Sequence, residues 1–175
     1  MFKLCFSRKF YLSQVLLIGL MLGFAYYLQF FKGVMPCTLC EMQRLIFVLL
    51  ALVLLVGILL PPKKLVIPHI LTNLGAMALA LLGMLFASRQ VWLEYFPPPD
   101  SSTSTCGTNL WYLFKIMPLS DVLLNVFFGG RECARVSWEF LKISLAGWAF
   151  IWFSVFLLLA FIQVICRLFF SRKYR

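Results

Sequence analysis

Charge is what this sequence has least of: of 175 residues only 13% are Asp, Glu, Lys or Arg, six of them acids, and there is one histidine. With 63% of the residues hydrophobic and 17% aromatic, a single soluble core of this length has no room for the apolar surface. A soluble globular fold is therefore excluded, and the chain reads as an integral membrane protein. No internal repeat is visible, so residues 1–175 read as one domain. Haem and flavin motifs are also missing, so any electron carrier has to be borrowed.

What is there is long apolar runs. Four segments, about 12–31, 42–60, 65–87 and 143–165, meet the roughly 20 residues needed to cross a bilayer. The second has sixteen uninterrupted apolar residues, Leu45 to Leu60, and Glu41 to Arg44 add a turn at the interface. Acids are missing from one side altogether. Lys3, Arg8, Lys9, Lys63, Lys64, Arg167, Arg172, Lys173 and Arg175 make nine positive charges at the two termini and the turn between spans two and three. The other seven basic residues share the opposite side with all six acids, and 7 − 6 leaves +1 there. The net charge of +10 thus follows the membrane and gives no reason to expect nucleic acid. By the positive-inside rule both termini and the Lys63-Lys64 turn are cytoplasmic. The first run lacks an A-x-A-like cleavage site and is as long as a span, so a retained helix is expected rather than a removed signal.

These readings give an all-α membrane protein, a four-transmembrane-helix bundle with outer loops at about 32–41 and 88–142. Tyr26, Tyr27, Phe30 and Phe31 form an aromatic outer end on span one. The long loop opens with Trp92, Tyr95 and Phe96, rises through Pro97-Pro98-Pro99, and continues as a polar stretch, DSSTSTCGTN. Ser120 or Asp121 then reads as the N-cap of a short helix ended by Gly129-Gly130. Two placements are open for that helix: in the interface with its apolar face down, or packed over the bundle.

The cysteines sort by side. Cys5 and Cys166 fall at the inner ends and read as reduced thiols; Cys37, Cys40, Cys106 and Cys133 lie outside, an even set that reads as two pairs. Zinc is not expected, because 26 residues separate Cys106 from Cys133 in a loop. A structural staple suits Cys106 and Cys133. It suits Cys37-x-x-Cys40 poorly, since so small a loop removes little unfolded-state entropy and its usual property is redox lability. If Cys37 opens span two, Cys40 at i+3 and Arg44 at i+7 share its face, and helix dipole and cation both favour a thiolate. A labile dithiol at the membrane edge and a second pair on an outer loop suggest an electron relay whose acceptor is lipid-soluble. A quinone fits.

P-C-T-L-C-E-M-Q-R, residues 36–44, resembles the P-C-x-L-C-x-x-[Q/E]-R signature of the DsbB family, inner-membrane quinone reductases that generate disulfides. T-C-G at 105–107 and MPLSDVLLNVFFGGRECARVSWEFLKISLAGW at 117–148 resemble that family's second periplasmic loop and the start of its last helix. The resemblance implies that a DsbA-like periplasmic thioredoxin-fold protein attacks Cys106, that Cys133 then attacks Cys37, and that Cys40 meets ubiquinone or menaquinone. It also implies Arg44, with Gln29 and Arg89, on the quinone side. Where many family members read R-H-V-W-L, this chain has Arg89-Gln90-Val91-Trp92-Leu93, and Gln90 cannot supply a proton as histidine can. The only histidine, His69, lies near the cytoplasmic end of span three and reads as a packing or interfacial residue. Rival readings are a relative serving another thioredoxin-like protein, the vitamin K epoxide reductase type, whose C-x-x-C lies near the end of a late helix, and a four-span scaffold with a disulfide-bonded outer loop. A scaffold of the tetraspanin kind carries a Cys-Cys-Gly motif that this chain lacks.

Overall fold

Proline and charge set the ends of the helices, and the computed structural model, which describes residues 8–33, 36–60, 66–96, 114–122 and 138–173, follows them closely. Helix α1 spans Arg8–Lys32, α2 Thr38–Leu59, α3 Val66–Tyr95 and α4 Leu145–Lys173. All four are long and apolar enough to cross a membrane. Glycine closes α1, with Gly33 in the left-handed region at φ 65°. Leu60 caps α2 through its N–H to the Val56 carbonyl at 3.2 Å, and Pro61 follows, where a helix cannot continue. Pro68 is tolerated because it falls in the first turn of α3.

Several boundaries differ from the sequence expectation: α1 opens at Arg8 rather than about 12, and α4 runs to Lys173 rather than 165. Helix α3 runs to Tyr95 rather than 87, so Trp92 and Tyr95 belong to the helix and not to the outer loop. Nothing between Ser88 and Tyr95 breaks a helix, and the first strong breaker is Pro97. Ser120 and Asp121 are not N-caps: the Pro118 carbonyl accepts from Asp121 N at 3.0 Å and Val122 N at 3.1 Å, so both residues lie inside the turn that Pro118 starts. Val122 is fully buried, which seats this turn on the bundle. The rest of the short helix, the Gly129-Gly130 stop, the triple proline and Cys5, Cys106 and Cys133 fall outside the described residues.

Helix α3 is the axis of the bundle. It packs against both α2 and α4, while α1 packs against α2. Its buried stripe is small, with Ala76, Ala80, Gly83 and Ala87 at helical spacing, and α4 answers with Phe153, Phe156 and Ala160. A methyl built on Gly83 would collide with the Phe153 ring, which therefore fills the groove that glycine leaves. Phe153 in turn stacks on Phe47 of α2, centroids 4.0 Å apart at 9°. Large apolar side chains such as Leu20, Leu59, Ile67 and Leu71 face outward. That is the inversion expected when the surrounding solvent is hydrocarbon.

Below this apolar layer, at the end of the bundle away from Cys37, the interior turns polar. Tyr11, Gln14, His69, Asn73, Gln163 and Arg167 are all buried. The Tyr11 hydroxyl donates to Asn73 Oδ1 at 3.0 Å, and the His69 ring lies 6.2 Å from that of Tyr11. His69 is thus a packing residue inside the bundle, far from the dithiol along α3.

Candidate functional site

The dithiol sits where α2 begins. Cys37 is the extended residue before the helix, and its carbonyl accepts from Glu41 N at 3.0 Å. Cys40 lies one turn along the same face, and the two sulfurs meet at 3.3 Å. At that separation they stand as two thiols in S–H···S contact.

The next turn of α2 carries Arg44, which reaches across to α1. Its Nη1 donates to Gln29 Oε1 and its Nη2 to the Ala25 carbonyl at 3.3 Å, with the guanidinium carbon 5.1 Å from the centre of the Tyr26 ring. Gln29 is therefore the residue that orients Arg44. The sulfur of Cys40 is met from α3, by Gln90: Gln90 Nε2 donates to Cys40 Sγ at 3.1 Å, and Gln90 Oε1 lies 3.5 Å from the same sulfur. Gln43, one turn beyond Leu39 on α2, donates from Nε2 to Gln90 Oε1 at 2.9 Å. Both glutamines are 5% exposed. Arg89, expected on the quinone side, is half-buried on α3 and is not among the residues that line the cavity described next.

Cys40, Gln43, Arg44 and Phe47 form one wall of a cavity of about 470 Å³ between α1 and α4. Met21, Leu22, Phe24 and Ala25 of α1 face them, with Leu145, Trp148, Ala149 and Trp152 of α4. Its roof is a hairpin that the sequence does not announce. Strand β1, Glu139–Phe140, pairs antiparallel with β2, Ile143–Ser144, through a two-residue turn at Leu141 and Lys142. Both turn residues are left-handed, φ 55° and 62°, a conformation usually taken by Asn-Gly or Gly-Gly.

Aromatic contacts hold the roof down. Trp138 meets Phe24 of α1 edge-on at 5.5 Å, Phe140 lies 6.2 Å from Trp148, and Trp148 Nε1 donates to the Phe140 carbonyl at 3.2 Å. Ser144 ends the hairpin and caps α4 by accepting from Gly147 N at 3.2 Å. It is also hydrogen-bonded to Glu94, which ties the hairpin to the end of α3. None of the roof residues was legible as part of a site, although Trp138, Trp148 and Trp152 crowd the start of the last span. Among the described residues no group of His, Cys, Asp or Glu is arranged to hold a metal.

The cavity therefore sets a thiol, a fixed cation and a side-chain amide on one wall and aromatic or aliphatic carbon on the others. Such a space suits a flat apolar ring with oxygen acceptors at its rim.

Residues 7–163 match the family model of Disulfide bond formation protein DsbB. A protein named Disulfide bond formation protein B from Hahella chejuensis is 37% identical over 157 residues, covering 86% of this chain and 88% of its own. The protein of that name from Chromohalobacter salexigens is 36% identical over 152 residues, 87% of each chain. That from Acinetobacter baylyi is 35% identical over 159 residues, 90% of this chain and 91% of its own. No solved structure matches. Four membrane-spanning helices, a vicinal dithiol at the head of the second and a family match over most of the length lead to one assignment: the chain belongs to the DsbB family of disulfide bond formation proteins.

Proposed function

We propose that the protein is a thiol:quinone oxidoreductase that reoxidises a DsbA-like thioredoxin-fold protein in the periplasm and delivers the electrons to ubiquinone or menaquinone. The observation that carries this reading is the Cys37–Cys40 pair, sulfurs 3.3 Å apart, with Cys40 on the wall of a 470 Å³ aromatic cavity that also holds Arg44. Family membership supports the thiol chemistry, and the cavity supports the quinone. The asymmetry of charge, nine cations and no acid on one side, supports a bacterial inner membrane with both termini cytoplasmic.

The relay runs by disulfide exchange. A thiolate of the partner attacks Cys106, and Cys133 leaves as the thiolate. Cys133 then attacks Cys37 of an oxidised first pair, and Cys40 leaves as the thiolate on the cavity wall. The partner's second thiol completes its own disulfide, and the Cys106–Cys133 disulfide is remade. Each turnover takes two electrons and two protons from the partner's thiols. A quinone bound in the cavity accepts two electrons and two protons, so the equation balances.

Cavity size and lining fit a quinone head group. Arg44, fixed by Gln29 and Ala25, would hold one ring oxygen and stabilise negative charge there, while Trp148, Trp152 and Phe47 clasp the ring. A Lys at this position would carry all its donors on one nitrogen and could not span Gln29 and Ala25 as the planar guanidinium does. The hairpin and the aromatic walls enclose the cavity side of the sulfur.

The test is quinone reduction by purified protein in detergent, followed spectroscopically, with a reduced DsbA-type donor and Cys40→Ser as control. Turnover that vanishes in the control supports the relay and its last thiol. No turnover with either quinone, from a folded protein, would overturn it in favour of a four-span scaffold.

A further inference from the structure

Gln90 lies buried near the end of α3, on a helix whose buried face is otherwise mostly apolar. It is 5% exposed, and its amide edge faces one atom, the sulfur of Cys40: Nε2 at 3.1 Å and Oε1 at 3.5 Å. The two contacts serve different states of that sulfur. A thiol can donate its proton to Oε1, and a thiolate can accept from the N–H at Nε2. The amide does not have to turn between the two, because Gln43 Nε2 holds Oε1 at 2.9 Å and fixes which end is which.

We propose that Gln90 is a catalytic hydrogen-bond donor that carries the Cys40 sulfur through its change of charge, with Gln43 as the residue that positions it. This rests on the relay proposed above, in which Cys40 alternates between disulfide and thiolate. The forward step joins Cys37 and Cys40 in a disulfide and releases two electrons to the quinone. One of the two protons is the Cys37 thiol proton and the other comes from water. Gln90 supplies neither, since a carboxamide does not ionise near neutral pH; it lowers the energy of the charged sulfur and keeps its own protons throughout.

The arrangement also separates two jobs along the wall. Arg44 is committed to α1 through Gln29 and Ala25, and so serves the ligand side of the cavity. The sulfur meets the neutral Gln90 of α3, which Gln43 of α2 positions. A neutral donor favours the thiolate without bringing a second ion into a mostly apolar site.

The experiment is alkylation of Cys40 by iodoacetamide in the reduced, full-length protein in detergent, quantified by peptide mass spectrometry at pH 7 and pH 10. Gln90→Leu removes the donor at similar size. At pH 7 it is expected to slow alkylation on the order of 10- to 100-fold, the range for losing a hydrogen bond to a charged group. At pH 10, where the thiol is ionised without help, the rates should converge. Gln90→His keeps an N–H at that position and should recover part of the loss, adding a step near pH ~6.5.

Equal rates at pH 7, or a slowing of the same size at both pH values, would overturn the proposal, the second because it marks altered access. Should Gln90→Leu not fold, Gln43→Leu decides by the same ratio, with a smaller loss of roughly 3- to 10-fold at pH 7. Alkylation needs neither quinone nor partner. Failure of the donor role is therefore distinguishable from failure of the relay, which the quinone assay reads.

Discussion

Gly83→Ala adds one methyl at the place where α3 meets the Phe153 ring of α4, and the structure says what that methyl would strike. It would lie 2.6 Å from Phe153 Cδ1 and closer still to Cζ and Cε1. Carbon atoms in favourable contact stand about 3.5–4.0 Å apart, so the ring or the helix must retreat by about 1 Å. The ring has nowhere to go cheaply, being fully buried and stacked on Phe47 at 4.0 Å. Overpacking of this kind costs about 1–3 kcal/mol. Phe47 also lines the cavity, so a displaced Phe153 pushes on a wall of the proposed quinone site. The variant is expected to lose that stability in reversible unfolding in mixed micelles, and to raise KM for quinone while leaving exchange between Cys37-Cys40 and external thiols unchanged. The double variant Gly83→Ala with Phe153→Leu should regain stability relative to the sum of the single changes. Additivity within ~0.5 kcal/mol, or an alanine variant as stable as the parent, would show that the two residues do not set the helix spacing.

Arg44→Lys keeps the charge but replaces the planar guanidinium fork by a single nitrogen, so KM for quinone should rise about 10-fold, corresponding to the loss of about 1.4 kcal/mol of binding, with a smaller change in kcat. Unchanged KM would remove Arg44 from the ligand side of the cavity. The turn at Leu141 and Lys142 holds two ordinary side chains in the left-handed region, each at a cost of about 1 kcal/mol. Replacing the pair by Asn-Gly should therefore raise the melting temperature in detergent, and a lower one would mean that the turn draws its shape from contacts of those side chains.

Much of the bundle was legible because a bilayer leaves few choices: four long apolar runs and the absence of acids on one side led to the four helices, with the far ends of α3 and α4 eight residues short of those found. Misjudged boundaries had local causes. Residues 88 to 95 carry a charge at Arg89 and Glu94, and a reading by hydropathy stops there, whereas the helix stops only where proline removes an N–H. At Pro118 the backbone carbonyl, not a side chain, supplies the acceptor that Ser120 or Asp121 was expected to provide.

The dithiol and Arg44 could be read from a nine-residue motif. What they touch could not, because Gln90 reaches Cys40 across 50 positions of sequence and no periodicity encodes that meeting. Gln90 had been noticed only for the proton it lacks; its N–H is what the fold uses. The buried Gln14, Asn73 and Gln163 are legible in principle, since a polar side chain inside a span has to face the bundle interior, but each stands alone within its apolar run and carries no motif.

The depth of the cavity has an electrical meaning. A membrane potential acts on charge that moves along the bilayer normal, about 2.3 kcal/mol per elementary charge per 100 mV. Both sulfurs, Gln90, Arg44 and the cavity lie at one end of the bundle, and a dry layer of Ile18, Leu50, Ala80, Phe153 and Phe156 separates them from the polar residues at the other. In the relay proposed above, Cys40 and its acceptor lie at the same end of the bundle, so electron transfer between them carries no charge across that apolar layer. That electron-transfer step is therefore expected to feel little of the voltage across the bilayer.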